Sequence, residues 1–132
     1  LSFTQDDVKI NGHAMEFRVN AEDPYNNFTP APGPVDAVHF PGGPGIRIDS
    51  HVYSGYVISP HYDSMIGKII AKGRNRNESI IRLKRALAEF TIDGPHTTVP
   101  LGEALMVDER FVDGKYNTAY LDVFMENSFQ KS

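Results

Sequence analysis

The chain is predicted to fold as an α+β protein on a mainly antiparallel sheet, and three observations carry that prediction. Residues His13–Asn20 carry an alternating pattern, apolar and polar in turn from Met15 to Asn20, which marks a strand with one buried face. Residues 65–72 carry Met65, Ile66, Ile69, Ile70 and Ala71 in a more continuous apolar run, as a central strand does. The one long helical pattern comes after the strands rather than between them. Strands first and helices later segregate into an α+β arrangement.

Each element has its own reason. In the first strand Met15, Phe17 and Val19 fall on one face, and Glu16, Arg18 and Asn20 on the other. Six of the nine prolines then lie between Pro24 and Pro44, among Gly33, Gly42, Gly43 and Gly45. Proline lacks the N–H and glycine loses the most backbone entropy, so this stretch is extended segments and turns, not helix. Residues 35–40 and 45–50 read as further strands, with Ile46 and Ile48 opposite Arg47 and Asp49. The glycines from Gly42 to Gly45 make a turn, and Ser59 with Pro60 opens another. Asn75, with Glu78 three residues on, predicts a helix start with a capping box in which asparagine replaces serine or threonine. Ile80, Leu83, Leu87 and Phe90 continue it as a stripe that packs on the sheet. The segment from Thr91 to Pro95 ends it. Two shorter helices are expected over 100–107, with Pro100 in the first turn, and over 118–126, with Thr118 as N-cap.

Composition bounds the function. The 132 residues suit one domain spanning 1–132, and the hydrophobic 40% and charged 23% are ordinary for a globular chain. There is no internal repeat or linker tract. The absence of cysteine removes disulfides, thiolate catalysis and cysteine metal sites, and fits a reducing, cytoplasmic setting. No apolar run approaches the ~20 residues of a membrane helix, and no signal peptide precedes the first strand, so no membrane is expected. A net charge of −4 argues against a nucleic-acid surface. The chain starts at Leu1, without an initiator methionine, and is read as a fragment.

Four groups of residues invite a chemical reading. The five histidines (13, 39, 51, 61 and 96) share no helix face, so surface or satisfied histidines are expected and no metal site. The Gly42–Gly45 loop lacks the Lys-Ser/Thr tail and the following helix of a phosphate loop. Lys68, Lys72, Arg74, Arg76, Arg82, Lys84 and Arg85 crowd into 18 residues against one Glu78. A solvated helix face explains them, and a docking surface for an acidic protein is the alternative. Arg18 is the sharpest residue. Mid-strand on the polar face, it is a fixed cation for an anion or developing oxyanion, or else half of a cross-strand ion pair.

Several blocks then carry a family resemblance. Residues 12–24, with Glu16-Phe17-Arg18-Val19-Asn20-Ala21-Glu22-Asp23-Pro24, resemble the opening of the C-terminal domain of biotin carboxylase. So do residues 28–33, Pro41-Gly42-Gly43-Pro44-Gly45-Ile46-Arg47, and residues 50–56. Tyr62-Asp63-Ser64-Met65-Ile66-Gly67-Lys68 and Tyr116-Asn117-Thr118-Ala119-Tyr120-Leu121 complete the set, in family order. His61 departs from it, standing where a second aromatic is common, and Pro44 holds a turn position that varies between members.

The resemblance implies a domain of the rudimentary single-hybrid-motif type, preceded in the family by pre-ATP-grasp and ATP-grasp domains. Their phosphate-gripping lysines, glycine-rich lid, metal-binding glutamates and general base are absent from this sequence. The implied reaction is the ATP- and bicarbonate-dependent carboxylation of biotin, with Mg2+ or Mn2+, on a carrier protein. It is the first step of acetyl-CoA carboxylase in fatty acid synthesis. Carboxyphosphate forms first and yields carbon dioxide and phosphate; the phosphate takes the biotin proton and leaves an enolate-like ureido oxygen. By motif position Arg18 is the family's arginine facing that oxygen. Asp63 matches an acidic residue beside the site that orients Arg18. Thr118 matches the edge of the adenine pocket, and Pro44 and Arg47 the homodimer contact. Implied partners are a second copy, the biotin carboxyl carrier protein and carboxyltransferase subunits. No cofactor is expected on the fragment alone, which would be folded but inactive. The parent is alternatively a pyruvate, propionyl-CoA or urea carboxylase, or the chain a non-catalytic dimerisation and interaction module.

Overall fold

The computed structural model describes residues 1–129. In chain order its strands are β1 (His13–Asn20), β2 (Glu22–Asp23), β3 (Thr29–Pro30), β4 (Gly33–Pro34), β5 (Ala37–His39), β6 (Ile46–Ser50), β7 (Val57–Ile58), β8 (Met65–Gly73) and β9 (Thr91–Asp93). The helices are α1 (Arg76–Glu89), α2 (Val99–Leu105), α3 (Glu109–Val112) and α4 (Tyr120–Asn127), with a single 3-10 turn at Gln5–Asp7. The α+β class with antiparallel pairing is as the sequence predicts. The main sheet has the order β1-β8-β6, and β2-β3, β4-β7 and β5-β9 form two-stranded ribbons.

β8 is central, hydrogen-bonded to β1 on one side and β6 on the other. The alternation in β1 turns Met15, Phe17 and Val19 inward, where they join Ile69 and Ala71 of β8 and Ile46 and Ile48 of β6. Helix α1 closes this side with Ile80, Leu83, Ala86 and Leu87, all buried. The sheet therefore has one packed face and one open face. Leu101, Tyr120, Phe124 and Phe129 make a second, smaller apolar cluster against which Phe28 packs.

The glycine turn before β6 is geometrically required. The Ile46 N–H donates to the Gly43 carbonyl at 3.2 Å, with Pro44 at the second corner and Gly45 at φ +75° in the third. That is a type II pattern, in which proline pre-sets one corner and glycine supplies the positive φ of the next. A Cβ on Gly45 would also collide with the Lys72 carbonyl and the Arg82 guanidinium.

Several sequence expectations are corrected. The strand expected over 35–40 shrinks to β5, and Thr91–Asp93, expected only to end the helix, forms β9 and pairs with it. The capping box is half realised: Asn75 accepts from the Glu78 N–H at 3.0 Å, but the Glu78 carboxylate reaches the Arg74 N–H. Thr118 is not an N-cap. Helix α4 starts two residues later, and Asn117 Oδ1 takes the free Ala119 N–H at 3.1 Å. The basic cluster is largely solvated, with Lys72, Arg74, Lys84 and Arg85 exposed, but its arginines also make defined contacts. Arg74 and Arg82 grip Glu78, Arg85 pairs with Glu89 and donates to the Gly42 carbonyl, and Arg76 donates to the Phe111 and Val112 carbonyls. These contacts are long-range or depend on a helical turn, so linear charge counting could not find them.

One polar pair fastens α4 to α3. Tyr120 Oη donates to Asp108 Oδ1 at 2.7 Å. That hydrogen bond holds the Asp108 carboxyl below its ordinary value of 3.8, while desolvation and then the same bond push the Tyr120 phenol above its ordinary 10.0. Asp108 thus adds stability above its ordinary value, lost as pH falls through the lowered one. Tyr120 adds stability below its ordinary value, lost as pH rises through the raised one. Amide protection in α4, taken relative to the unfolded-chain exchange rate at each pH, is therefore expected to be highest between these limits. Tyr120→Phe should remove the alkaline limb, and an unchanged limb would show that another group titrates.

Candidate functional site

The open face of the sheet carries the candidate residues. Register places Arg18 opposite Lys68 and Lys68 opposite Asp49, so these three form one row across β1, β8 and β6. Glu16, Ile70 and Arg47 form the next. Side chains directly opposite each other share a face, so Arg18 and Arg47 project to the same side, two strand spacings across and two residues along, or about 12 Å apart.

Arg18 is exposed and has no carboxylate partner within 4 Å among the described residues. The neighbouring acids are engaged elsewhere. Glu16 faces Lys68 Nζ at 3.5 Å, and Asp49 takes a forked pair from Arg47 at 2.9 and 3.0 Å. Glu22 accepts from Asn20 Nδ2 at 3.4 Å and from the Ser64 hydroxyl. Among the described residues Arg18 makes one side-chain hydrogen bond, from Nε to Met65 Sδ at 3.2 Å. The cross-strand ion pair that the sequence left open is thus not formed. What stands on the strand is a fixed cation with most of its donors unused, suited to an anion.

Asp63 does not touch Arg18. Its carboxylate accepts the Met65 N–H at 2.8 Å, so any influence on Arg18 runs through Met65. Asp63 also borders a hollow of about 290 Å3 with His51, Tyr56 and Tyr62. Pro44 is exposed at the type II turn, and the Arg47 side chain is 74% exposed beside Asp49. Thr118 is exposed on the turn before α4. Beside it Arg76 lies over the rings of Phe111 (5.4 Å) and Tyr116 (5.8 Å), which fixes the turn that carries Thr118. Among the described residues no three His, Asp or Glu gather as metal ligands, so these side chains do not by themselves fit a magnesium ion.

Met65 is the residue that sequence reasoning missed. Period two places it on the inner face with Ile69. The pairing slips between Val19 and Asn20, so that Asn20 faces Met65 rather than Ile66. Ile66 turns inward, 3% exposed, and Met65 turns out beside Arg18. Bulges re-aim side chains in this way. The one visible signal is that Met65 and Ile66 are both apolar, which leaves alternation at the strand's start ambiguous.

The described residues form an α+β domain on a one-sided antiparallel sheet, and Arg18 stands on the open face with no carboxylate partner among them. The model of the biotin carboxylase C-terminal domain matches residues 16–123, and the chain belongs to that family. Biotin carboxylase of Haemophilus influenzae is 52% identical over 122 residues, covering 92% of this chain and 27% of its own. Biotin carboxylase 1 of Bacillus subtilis is 49% identical over 124 residues, covering 94% and 28%. A pyruvate carboxylase polypeptide of Methanothermobacter thermautotrophicus is 48% identical over 124 residues, covering 94% and 25%. Among solved structures, the biotin carboxylase domain dimer of Hydrogenobacter thermophilus 2-oxoglutarate carboxylase, in complex with MgADP, ADP and bicarbonate, superposes with a TM-score of 0.92. It is 40% identical and covers 94% of this chain and 27% of that one. The chain thus spans about a quarter of the length of the relatives it matches.

Proposed function

We propose that this chain, residues 1–132 as one domain, is the C-terminal domain of a biotin carboxylase, which uses ATP and bicarbonate to carboxylate biotin on a carrier protein. The observation that carries the reading is the unneutralised Arg18 on a rigid strand, in a chain of this family. Magnesium-bound ATP supplies phosphoryl activation of bicarbonate when present, in parts of the enzyme that this chain does not match. Arg18 holds its guanidinium toward the ureido oxygen of biotin and stabilises the negative charge that grows there. A planar, permanently charged fork suits that task, and its strand cannot relax away from it. Asp63 supports the neighbourhood through Met65, and Thr118 lies at the edge of the adenine pocket. The setting we assign is cytoplasmic, and the partners are the carrier protein and carboxyltransferase subunits. No helix of the described residues is long and apolar enough to cross a membrane. The test is biotin carboxylation by the intact enzyme with Arg18 present and replaced.

The likeness to a pyruvate carboxylase and to a 2-oxoglutarate carboxylase domain leaves the acceptor open between acetyl-CoA and keto-acid enzymes. A second role is dimerisation through Pro44 and Arg47, supported by the exposure of both at a turn pre-set by Pro44 and closed by the Ile46 N–H to Gly43 carbonyl bond. Arg47→Glu sets a carboxylate beside Asp49 and removes the fork. The intact enzyme is expected to shift from dimer toward monomer in sedimentation, and an unchanged dimer would move the contact elsewhere.

A further inference from the structure

We propose that Met65 is a positioning residue for Arg18, holding the guanidinium without neutralising it. The inference rests on the reading of Arg18 as an anion-holding group and adds how the fold keeps that group both ordered and charged. An exposed arginine is ordinarily either mobile or paired with a carboxylate. Arg18 has no carboxylate partner among the described residues, and its Nε donates to a thioether at 3.2 Å, while Glu16, Glu22, Asp49 and Asp63 are each engaged by other donors. A thioether is a weak and neutral acceptor. It fixes the stem of the side chain and leaves the two terminal nitrogens with their full charge for an incoming anion. A carboxylate in its place would be a stronger acceptor and would compete with the anion for the same donors.

The geometry is built rather than incidental. The slip in pairing between Val19 and Asn20 brings Met65 to the open face, where regular alternation would have buried it. The Asp63 carboxylate accepts the Met65 N–H at 2.8 Å and pins the backbone at the point where the slip occurs. Asp63, Met65 and Arg18 are therefore linked in series. The acidic residue sets the methionine, and the methionine sets the arginine.

The test uses the intact carboxylase, with kcat for biotin carboxylation, KM for ATP and thermal unfolding read for each variant. Met65→Gln restores a neutral acceptor of similar length and is expected to stay within about threefold of wild type, whereas Met65→Leu removes the acceptor and should lose about 3–10-fold in kcat. Met65→Glu differs from Met65→Gln only in charge, and should lose about 100-fold, the lower range for an oxyanion donor. Adding Met65→Glu to Arg18→Ala should cost nothing further. Equal activity of the Glu and Gln variants overturns the proposal. If Met65→Glu fails to fold, the Leu and Gln pair decides, and equal activities again overturn it. An active Arg18→Ala enzyme would instead defeat the reading of Arg18 itself, so the two failures are distinguishable.

Discussion

Replacing Arg18 by alanine in the intact carboxylase is expected to lower kcat for biotin carboxylation by about 100–1000-fold, or ~2.7–4 kcal/mol. The magnitude follows from the geometry. A donor on a strand, with no acid paired to it among the described residues, needs little reorganisation when negative charge appears opposite it. KM for ATP should change little, because the proposed interaction strengthens only as the ureido oxygen gains charge; loss of a transition-state contact lowers kcat and kcat/KM together. The fold should be indifferent, since Arg18 is exposed and its one side-chain hydrogen bond among the described residues is to Met65. Arg18→Lys is expected to recover only part of the loss, because a point charge lacks the planar fork. Near-normal carboxylation by Arg18→Ala would remove this residue from the mechanism.

Leu83→Ala should cost stability rather than chemistry, by roughly 2–5 kcal/mol. Leu83 is 2% exposed, at the centre of α1, the helix that packs on β8 and β1. Truncation loses the transfer energy of the removed groups and leaves a cavity among Ile69, Ile80 and Leu87, which the sheet cannot collapse to fill. Ile81 is the internal control. It lies on the same helix but is 58% exposed, and Ile81→Ala should stay within about 0.5 kcal/mol of the parent. Urea unfolding of the 132-residue chain measures both. Equal effects at positions 81 and 83 would contradict the docking of α1 on the sheet.

Local pattern made much of this legible. The uninterrupted alternation of Met15, Phe17 and Val19 requires one buried face, and the stripe of Ile80, Leu83 and Leu87 requires a surface to cover. Both elements form as their periodicity predicts, because each satisfies its own pattern. Pairing across distance is another matter. Thr91–Asp93 looks like the end of a helix until β5 offers it a partner. Thr118 has the chemistry of an N-cap, but Asn117 forms the turn first. Seven basic residues in one stretch suggest a surface, whereas their arginines reach Glu78, Glu89 and the carbonyls of Gly42, Phe111 and Val112.

The sequence alone determined the class, the main strands and helices, and Arg18 as a cation on a polar strand face. These are properties of side-chain period, proline and glycine, which act within a few residues. The tertiary structure decided whether that cation is free. Whether Glu16, Glu22, Asp49 or Asp63 neutralises Arg18 depends on which donors reach them first, and those donors come from β6, β8 and the loop before it. It also decided that Met65 faces outward, because one slipped pairing reverses the parity of everything before it in β8. Parity is a local quantity, but a slip in it arises only between two strands.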